Sequence, residues 1–158
     1  MRLARLWIKI CAPPERCYAL ARDLELRRRC DAEAHAIIAA RAARGRFNQW
    51  EDATWRSANF AVWRSLQPEV FYEEPPISFS EQLPRGLPFS FFHNHSFSDE
   101  DGGTLMVHLF KYEFPDGYFP SREFIGMYTD HLLCRRSTTI KRIAEGDDWT
   151  SKFTDDDE

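Results

Sequence analysis

An α+β fold, a run of antiparallel strands closed by one long carboxy-terminal helix, is what the sequence predicts. Three observations predict it. Phe89 to Ser98 and Thr104 to Phe114 both alternate apolar with polar residues, on either side of the charged, glycine-bearing turn Asp99 to Gly103, and together read as a hairpin. Ser121, an N-cap type of residue after Pro120, opens about 25 residues free of proline that end near Glu145 and read as the long helix. Leu6, Ile8 and Ile10 alternate with Trp7 and Lys9 ahead of Pro13 and Pro14, and read as a first strand with the aliphatic residues facing in.

The remaining elements follow in order. Proline is at home in a first helical turn, so a short helix starts near Pro14, carries Cys17, Tyr18, Leu20 and Ala21, and ends near Arg22 or Asp23. Leu24 to about Ala34 reads as a second short helix, with Leu26 and Cys30 on one side and the arginines on the other. Ala34 to Ala43 is alanine-rich and helical by propensity. From Gln49 the pattern turns extended. Ala53, Trp55 and Ser57 alternate with Asp52, Thr54 and Arg56, and Phe60 to Val70 alternates again, which predicts two strands joined near Ala58 and Asn59. Pro75 and Pro76 interrupt, Ile77, Phe79 and Glu81 share one face of a further strand, and Pro84 to Pro88 turn into the hairpin. In the long helix Ile125, Tyr128, Leu132, Ile140 and Ile143 form the apolar stripe, and Gly126 allows close approach by a strand or a ligand. Residues 1–146 are expected to form a single domain and the acidic tail, 147–158, to be disordered.

Length and composition bound the function. A chain of 158 residues buries roughly 68–70% of its unfolded surface, enough for one core. A formal charge of −4 and an isoelectric point near 5.8 provide no broad basic field, which argues against nucleic acid and anionic lipid as partners; Arg27, Arg28, Arg29, Arg41, Arg44 and Arg46 read as a solvated basic patch. The 13 Phe, 5 Trp and 5 Tyr exceed what a small core needs, and aromatic rings are the usual lining of small-molecule pockets. Cys11, Cys17, Cys30 and Cys134 have no CxxC or metal-finger spacing and read as free thiols. No window approaches 18 uncharged apolar residues, and Lys9 breaks the amino-terminal apolar run, so neither a membrane span nor a signal peptide is predicted and a cytoplasmic location is expected. The sequence implies no cofactor.

The hairpin locates the candidate site. If Ser98 pairs with Gly103, then Phe89 meets Tyr112, Phe91 meets Phe110, His93 meets His108, His95 meets Met106 and Phe97 meets Thr104, all on one face. That face is aromatic with a polar centre. Buried imidazoles need hydrogen-bond partners, so three histidines among rings point to a pocket wall rather than to a wholly apolar core.

Ala12-Pro13-Pro14-Glu15-Arg16-Cys17-Tyr18 with Asp23, the strand His93-x-His95-x-Phe97, and Gly103-Thr104 followed by Tyr112-x-x-Pro115-x-Gly117 resemble the START-like, Bet v 1-like superfamily known as SRPBCC. The resemblance runs to about Ala144. It implies the helix-grip fold: a bent antiparallel sheet, two short helices after the first strand, and one long carboxy-terminal helix over the sheet. It also implies that Ala36 to Ala43 is a strand, against the local alanine propensity, and that a cavity for lipids, steroids, polyketides or other hydrophobic molecules lies between sheet and helix. Two departures stand out: His108 occupies a position that is often acidic in the pattern, and the stretch Ala42 to Asn48 has only Gly45 where the pattern is glycine-rich.

Three functions are then open. The first is binding of a hydrophobic small molecule, such as a lipid or polyketide, by a cavity lined by Trp55, Phe89, Phe91, His93, His95, Phe97, Met106, His108, Phe110, Tyr112 and Tyr128. The second is a polyketide cyclase- or dehydratase-like acid/base enzyme whose proton donors and acceptors are His93, His95, His108 and Tyr112. The third is a protein-interaction or homodimerisation module using the opposite hairpin face, where Phe92, Leu105, Val107 and Leu109 project. His93, His95 and His108 would also suit a zinc-type ion, but a metal site needs supporting partners that the sequence does not show, and none is assigned.

Overall fold

A nine-residue strand, β1 (Arg2–Ile10), opens the computed structural model, which describes residues 1–150. Helices α1 (Pro14–Arg22), α2 (Leu24–Ala43), α3 (Gln49–Arg56) and α4 (Ala58–Ser65) follow, then strands β2 (Glu69–Glu74), β3 (Ser78–Gln82), β4 (Ser90–Glu100) and β5 (Gly103–Glu113), and finally α5 (Arg122–Ala144). The five strands form one bent antiparallel sheet in the order β1-β5-β4-β3-β2, and the long helix α5 lies over it. This is the helix-grip arrangement. The expected disorder of the tail falls mainly on residues 151–158, which lie outside the described residues.

Two segments depart from expectation. The alanine run does not form the strand that the superfamily pattern implies: α2 continues through it to Ala43, because small unbranched side chains lose little entropy in a helix. The stretch from Gln49 to Ser65 forms two helices rather than two strands. Its period-two alternation is overridden by caps: Asn48 Oδ1 accepts from the Trp50 and Glu51 N–H groups, and Ser57 Oγ accepts from that of Phe60. Once helical, the stretch turns Trp55, Phe60 and Trp63 inward, where Phe60 packs edge-on against Phe124 and Tyr128 of α5.

The β4–β5 hairpin forms with a register two residues away from the expected one. Glu100 rather than Ser98 pairs with Gly103, so His95 faces His108, His93 faces Phe110 and Phe91 faces Tyr112. A shift of two keeps every side chain on its face, and the three histidines still point inward.

Two core clusters fill the space under α5. One gathers Ile10, Cys17, Leu20, Leu26, Phe79, Phe97 and Met106; the other, richer in rings, gathers Phe60, Phe89, Phe110, Tyr112, Phe114, Phe119 and Phe124. The histidines sit at the junction, since His95 stacks on Phe79 of the first and His93 meets Phe110 of the second edge-on. α2 is clamped along α5 by the ion pairs Asp31–Arg136 and Glu33–Arg135.

Two glycines make close approaches. A Cβ at Gly103 would lie 2.5 Å from the Ile10 carbonyl oxygen, a backbone atom of the neighbouring strand, whereas a Cβ at Gly126 would meet the tip of the Arg2 side chain, which reaches across to Asp130. Gly126 therefore admits the first strand, as its place in the helix suggests. Gly103→Ala is expected to lose about 1–3 kcal/mol of stability because backbone cannot step aside, while Gly126→Ala stays within about 1 kcal/mol, since an exposed guanidinium can move and alanine favours the helix. Urea unfolding midpoints of the two variants check this contrast.

Candidate functional site

The site is assembled from five elements. β4 supplies His93 and His95, β5 supplies His108, β3 supplies Glu81, and the paired helices bring Arg27 and Asp31 from α2 and Arg136 and Ser137 from α5. Alternation alone puts His93 and His95 on the inner face of the sheet, and Glu81 shares that inward side with Phe79.

These groups are shut away from solvent and bonded into one network. His93, His95, His108 and Glu81 are each 2% exposed or less. Glu81 Oε2 lies 2.9 Å from His95 Nε2, and its other oxygen accepts from Arg27 at 2.5 Å. A carboxylate can only accept, so His95 carries its proton on Nε2 and leaves a bare lone pair on Nδ1. His93 Nε2 lies 3.0 Å from His108 Nδ1, and His108 Nε2 lies 3.1 Å from Ser137 Oγ. The His93 and His95 rings are only 3.7 Å apart at their centroids, and the Nδ1 atoms of both lack a hydrogen-bond partner. Arg136 binds Asp31 through two hydrogen bonds of 2.6 Å each.

The electrostatics follow from burial. Desolvation, reinforced by the neighbouring imidazoles and by Arg27 and Arg136, holds His93 and His95 well below the usual histidine range. Burial likewise lowers His108, to about 4, with Arg136 and Arg27 adding to the shift and Glu81 opposing it. Burial lowers Arg27 too, with Glu81 restoring part of the loss, whereas at Arg136 burial is outweighed by Asp31 and the net shift is upward. The histidines are thus neutral at physiological pH, each able to give one proton and take another.

Two spaces adjoin the network. A cleft of about 100 Å³ opens between α2, α4, α5 and the sheet, walled by Trp63, Leu66, Leu83, Phe91, Phe110 and Leu133, with Arg27, Asp31, Arg64, Gln67, Tyr128, Thr129 and Arg136 as its polar residues. Behind it a chamber of about 20 Å³, room for roughly one water, is lined by His95 and His108. Arg27 and Arg136 line both, so the two guanidiniums partition cleft from chamber.

Of the residues expected at the site, the structure brings His93, His95 and His108 together and sets Phe91, Phe110 and Tyr128 in the cleft wall. Phe89, Phe97 and Met106 pack in the two clusters, and Trp55 stacks on His35. Tyr112 lies four residues along β5 from His108, roughly 13 Å away, against a separate hollow near Arg2 and Arg122. Arg27 is not part of a solvated patch, because its side chain is 10% exposed and pairs with Glu81. Glu81, Asp31, Arg136 and Ser137 were not singled out from sequence. Glu81 had one usable signal, a carboxylate on the same strand face as Phe79.

The imidazole ligating atoms lie within 4.8 Å of one another and could close on a metal ion. Tetrahedral Zn–N bonds of about 2.0–2.1 Å hold ligand atoms roughly 3.4 Å apart. Closing on an ion could use the bare Nδ1 atoms of His93 and His95 but would take from His108 its hydrogen bond to His93 or to Ser137, and it would set a dication beside two guanidiniums. The network as it stands is better matched to protons.

No family model matches the chain, and no curated protein matches it. Solved structures do. The Aha1 dimer from Colwellia psychrerythraea is similar over 92% of this chain and 97% of that one, at 9% identity and a TM-score of 0.51. Protein CV1439 from Chromobacterium violaceum covers 92% and 98% at 15% identity with a TM-score of 0.48, and a "Polyketide_cyc-like" protein from Corynebacterium glutamicum covers 99% and 96% at 15% identity with a TM-score of 0.44. The likeness is one of fold: a bent antiparallel sheet with its carboxy-terminal helix, the helix-grip arrangement. Among the described residues no helix is long and apolar enough to cross a membrane.

The buried histidines make stability depend on acidity. Unfolded histidine takes up its proton near pH 6.5, whereas native His108 resists to about 4, so the unfolded state binds more protons over that window and stability falls as pH drops through it. His108 alone accounts for a loss on the order of 3 kcal/mol between pH 6.5 and 4, with His93 and His95 adding in the same direction. Urea titrations at stepped pH are expected to show this slope, and a shallower slope in His108→Gln.

Proposed function

We propose that the chain is an acid/base enzyme, cyclase- or dehydratase-like in reaction type, acting on a small carbonyl compound held in the cleft beside the histidine network. The observation that carries this reading is the bonded Glu81–His95 pair, with a bare Nδ1 lone pair on a fully buried imidazole. A carboxylate that fixes one imidazole nitrogen orients the other as a proton acceptor. His95 is the base, reaching the substrate across the one-water chamber behind the Arg27–Arg136 partition, Glu81 positions it, and the His93–His108–Ser137 string supplies or drains the second proton. Phe91, Phe110 and Tyr128 are the substrate-facing walls. Tyr112 has no place in this step, its hydroxyl being remote from the network. The four free cysteines fit a reducing compartment, so the same reading sets the enzyme in the cytoplasm.

Storage or transport of a lipid or polyketide has less support. Pockets for such molecules run to roughly 300–1,000 Å³, against about 100 Å³ here. The test is proton exchange: small ketones and keto acids incubated with the protein in D₂O and followed by ¹H NMR at the α-carbon. Exchange above the buffer rate is expected, falling roughly 10²- to 10⁴-fold in His95→Gln and in Glu81→Gln. Exchange that survives replacement of all three histidines would sink the reading.

A second reading, self-association, rests on the outer face of the sheet. Trp7 is 60% and Leu3 56% exposed there, beside Leu105, Val107 and Leu109 of β5. The similar Colwellia protein was determined as a dimer. A dimer in gel filtration that becomes monomeric on Val107→Asp is the expected result; a dimer indifferent to that change excludes this face.

A further inference from the structure

The helix α2 carries a regular row of polar side chains, two of which line the cleft while the third bonds to residues that do. Arg27, Asp31 and His35 are spaced by four, so they stack along one face over roughly 12 Å, and each meets a different partner: Glu81, Arg136 and Arg64 respectively. Two of the three guanidiniums lining the cleft thus have carboxylates of their own. The third does not. Arg64 Nη1 lies 2.9 Å from His35 Nε2, and among the described residues no carboxylate pairs with it. The cleft end at Arg64 carries an uncompensated positive charge.

A second donor stands beside it. A guanidinium can only donate, so His35 Nε2 accepts from Arg64 and the His35 proton sits on Nδ1, where it donates to Tyr128 Oη at 3.1 Å. The Tyr128 hydroxyl, acting there as acceptor, keeps its own hydrogen, and makes no other hydrogen bond among the described residues. Burial pushes the Tyr128 phenol up to about 12, Arg64 opposing, so the hydrogen is present throughout the physiological range. Tyr128 is 4% exposed and lines the same cleft. Beyond the paired Arg27, Asp31 and Arg136 and the neutral Gln67 and Thr129, the wall is apolar, with Trp63, Phe91 and Phe110 as its rings, and the volume, about 100 Å³, is of the order of the ~150 Å³ cavity that accommodates benzene.

We propose that the cleft binds a small monocarboxylate with an apolar body about the size of one ring, its carboxylate held by Arg64 and Tyr128 and its far end against the Arg27–Arg136 partition. This names the substrate class for the site and rests on the acid/base reading only for which end faces the histidines. A carboxylate accepts two charge-matched or hydroxyl donors at once, and the apolar walls reject a fully hydrated ion.

The test is calorimetric titration at neutral pH with benzoate and with its uncharged isostere benzamide. Benzoate is expected to bind at least about tenfold more tightly than benzamide. Arg64→Gln should abolish that preference by weakening benzoate far more than benzamide, and Tyr128→Phe should reduce it severalfold. Arg64 is exposed on a short helix, and an unchanged circular dichroism spectrum confirms that its variant folds. Equal affinity for the two probes, no saturable benzoate binding, or a preference that survives both substitutions overturns the proposal. The two readings fail separately. Benzoate binding without proton exchange on any ketone removes only the acid/base reading, and exchange without benzoate preference removes only this one.

Discussion

A carboxylate on the inner face of a β-sheet is the constraint from which the rest of this interior follows. Glu81 is 2% exposed, and an ionised carboxyl in such a place costs several kcal/mol unless it is paired and its lone pairs are used. Arg27 and His95 supply the partners, one from a helix and one from the adjacent strand. Arg27 is in turn a buried cation beside a second one, Arg136, which is stable there only through its two hydrogen bonds to Asp31. Each compensation calls for the next. The chain of pairs fixes α2 against α5 and both against the sheet, and removal of one member of such a buried pair typically costs about 3–5 kcal/mol.

That network divides the interior. On one side, aliphatic and aromatic side chains of the first cluster pack under α1. On the other, Trp55, Phe60 and Phe124 meet mainly edge-to-face, as Trp63 does with Phe89 and Tyr112, the arrangement that ring quadrupoles favour, and fill space that a carrier of long hydrophobic molecules would leave open. The aromatic surplus in the composition is thus spent chiefly on packing. What remains is a ring-sized cleft whose charged groups come from the same two helices that hold the buried charges and, at Arg64, from α4.

How much of this was legible depends on where the information is local. The hairpin and the long helix follow from patterns confined to their own residues, and a two-residue register error did no harm because it preserves the face. The histidines could be gathered on one side of the sheet for the same reason. Gln49 to Ser65 misled because helix and strand periods coincide over short amphipathic runs, and the deciding atoms were the capping oxygens of Asn48 and Ser57. At Ala36 to Ala43 intrinsic propensity was right and the superfamily pattern was not. Arg27 lay in a run of three arginines and looked solvated, since nothing in its neighbours shows that it alone turns toward a carboxylate 54 positions away.

The i, i+4, i+8 row on α2 ties these observations into one physical argument. Arg27 neutralises the carboxylate that orients His95, Asp31 neutralises the guanidinium that shields the chamber, and His35 orients Tyr128 while accepting from Arg64. One helix face therefore sets charge at the chamber, at the partition and at the mouth in turn. Because the first two positions are internally balanced and the third is not, a negative ligand gains most at the mouth and leaves the buried pairs intact. On the proposed acid/base reading, the neutral histidine site would do its chemistry without a net charge being brought into the core, which is the condition under which a proton can move between imidazoles at low cost.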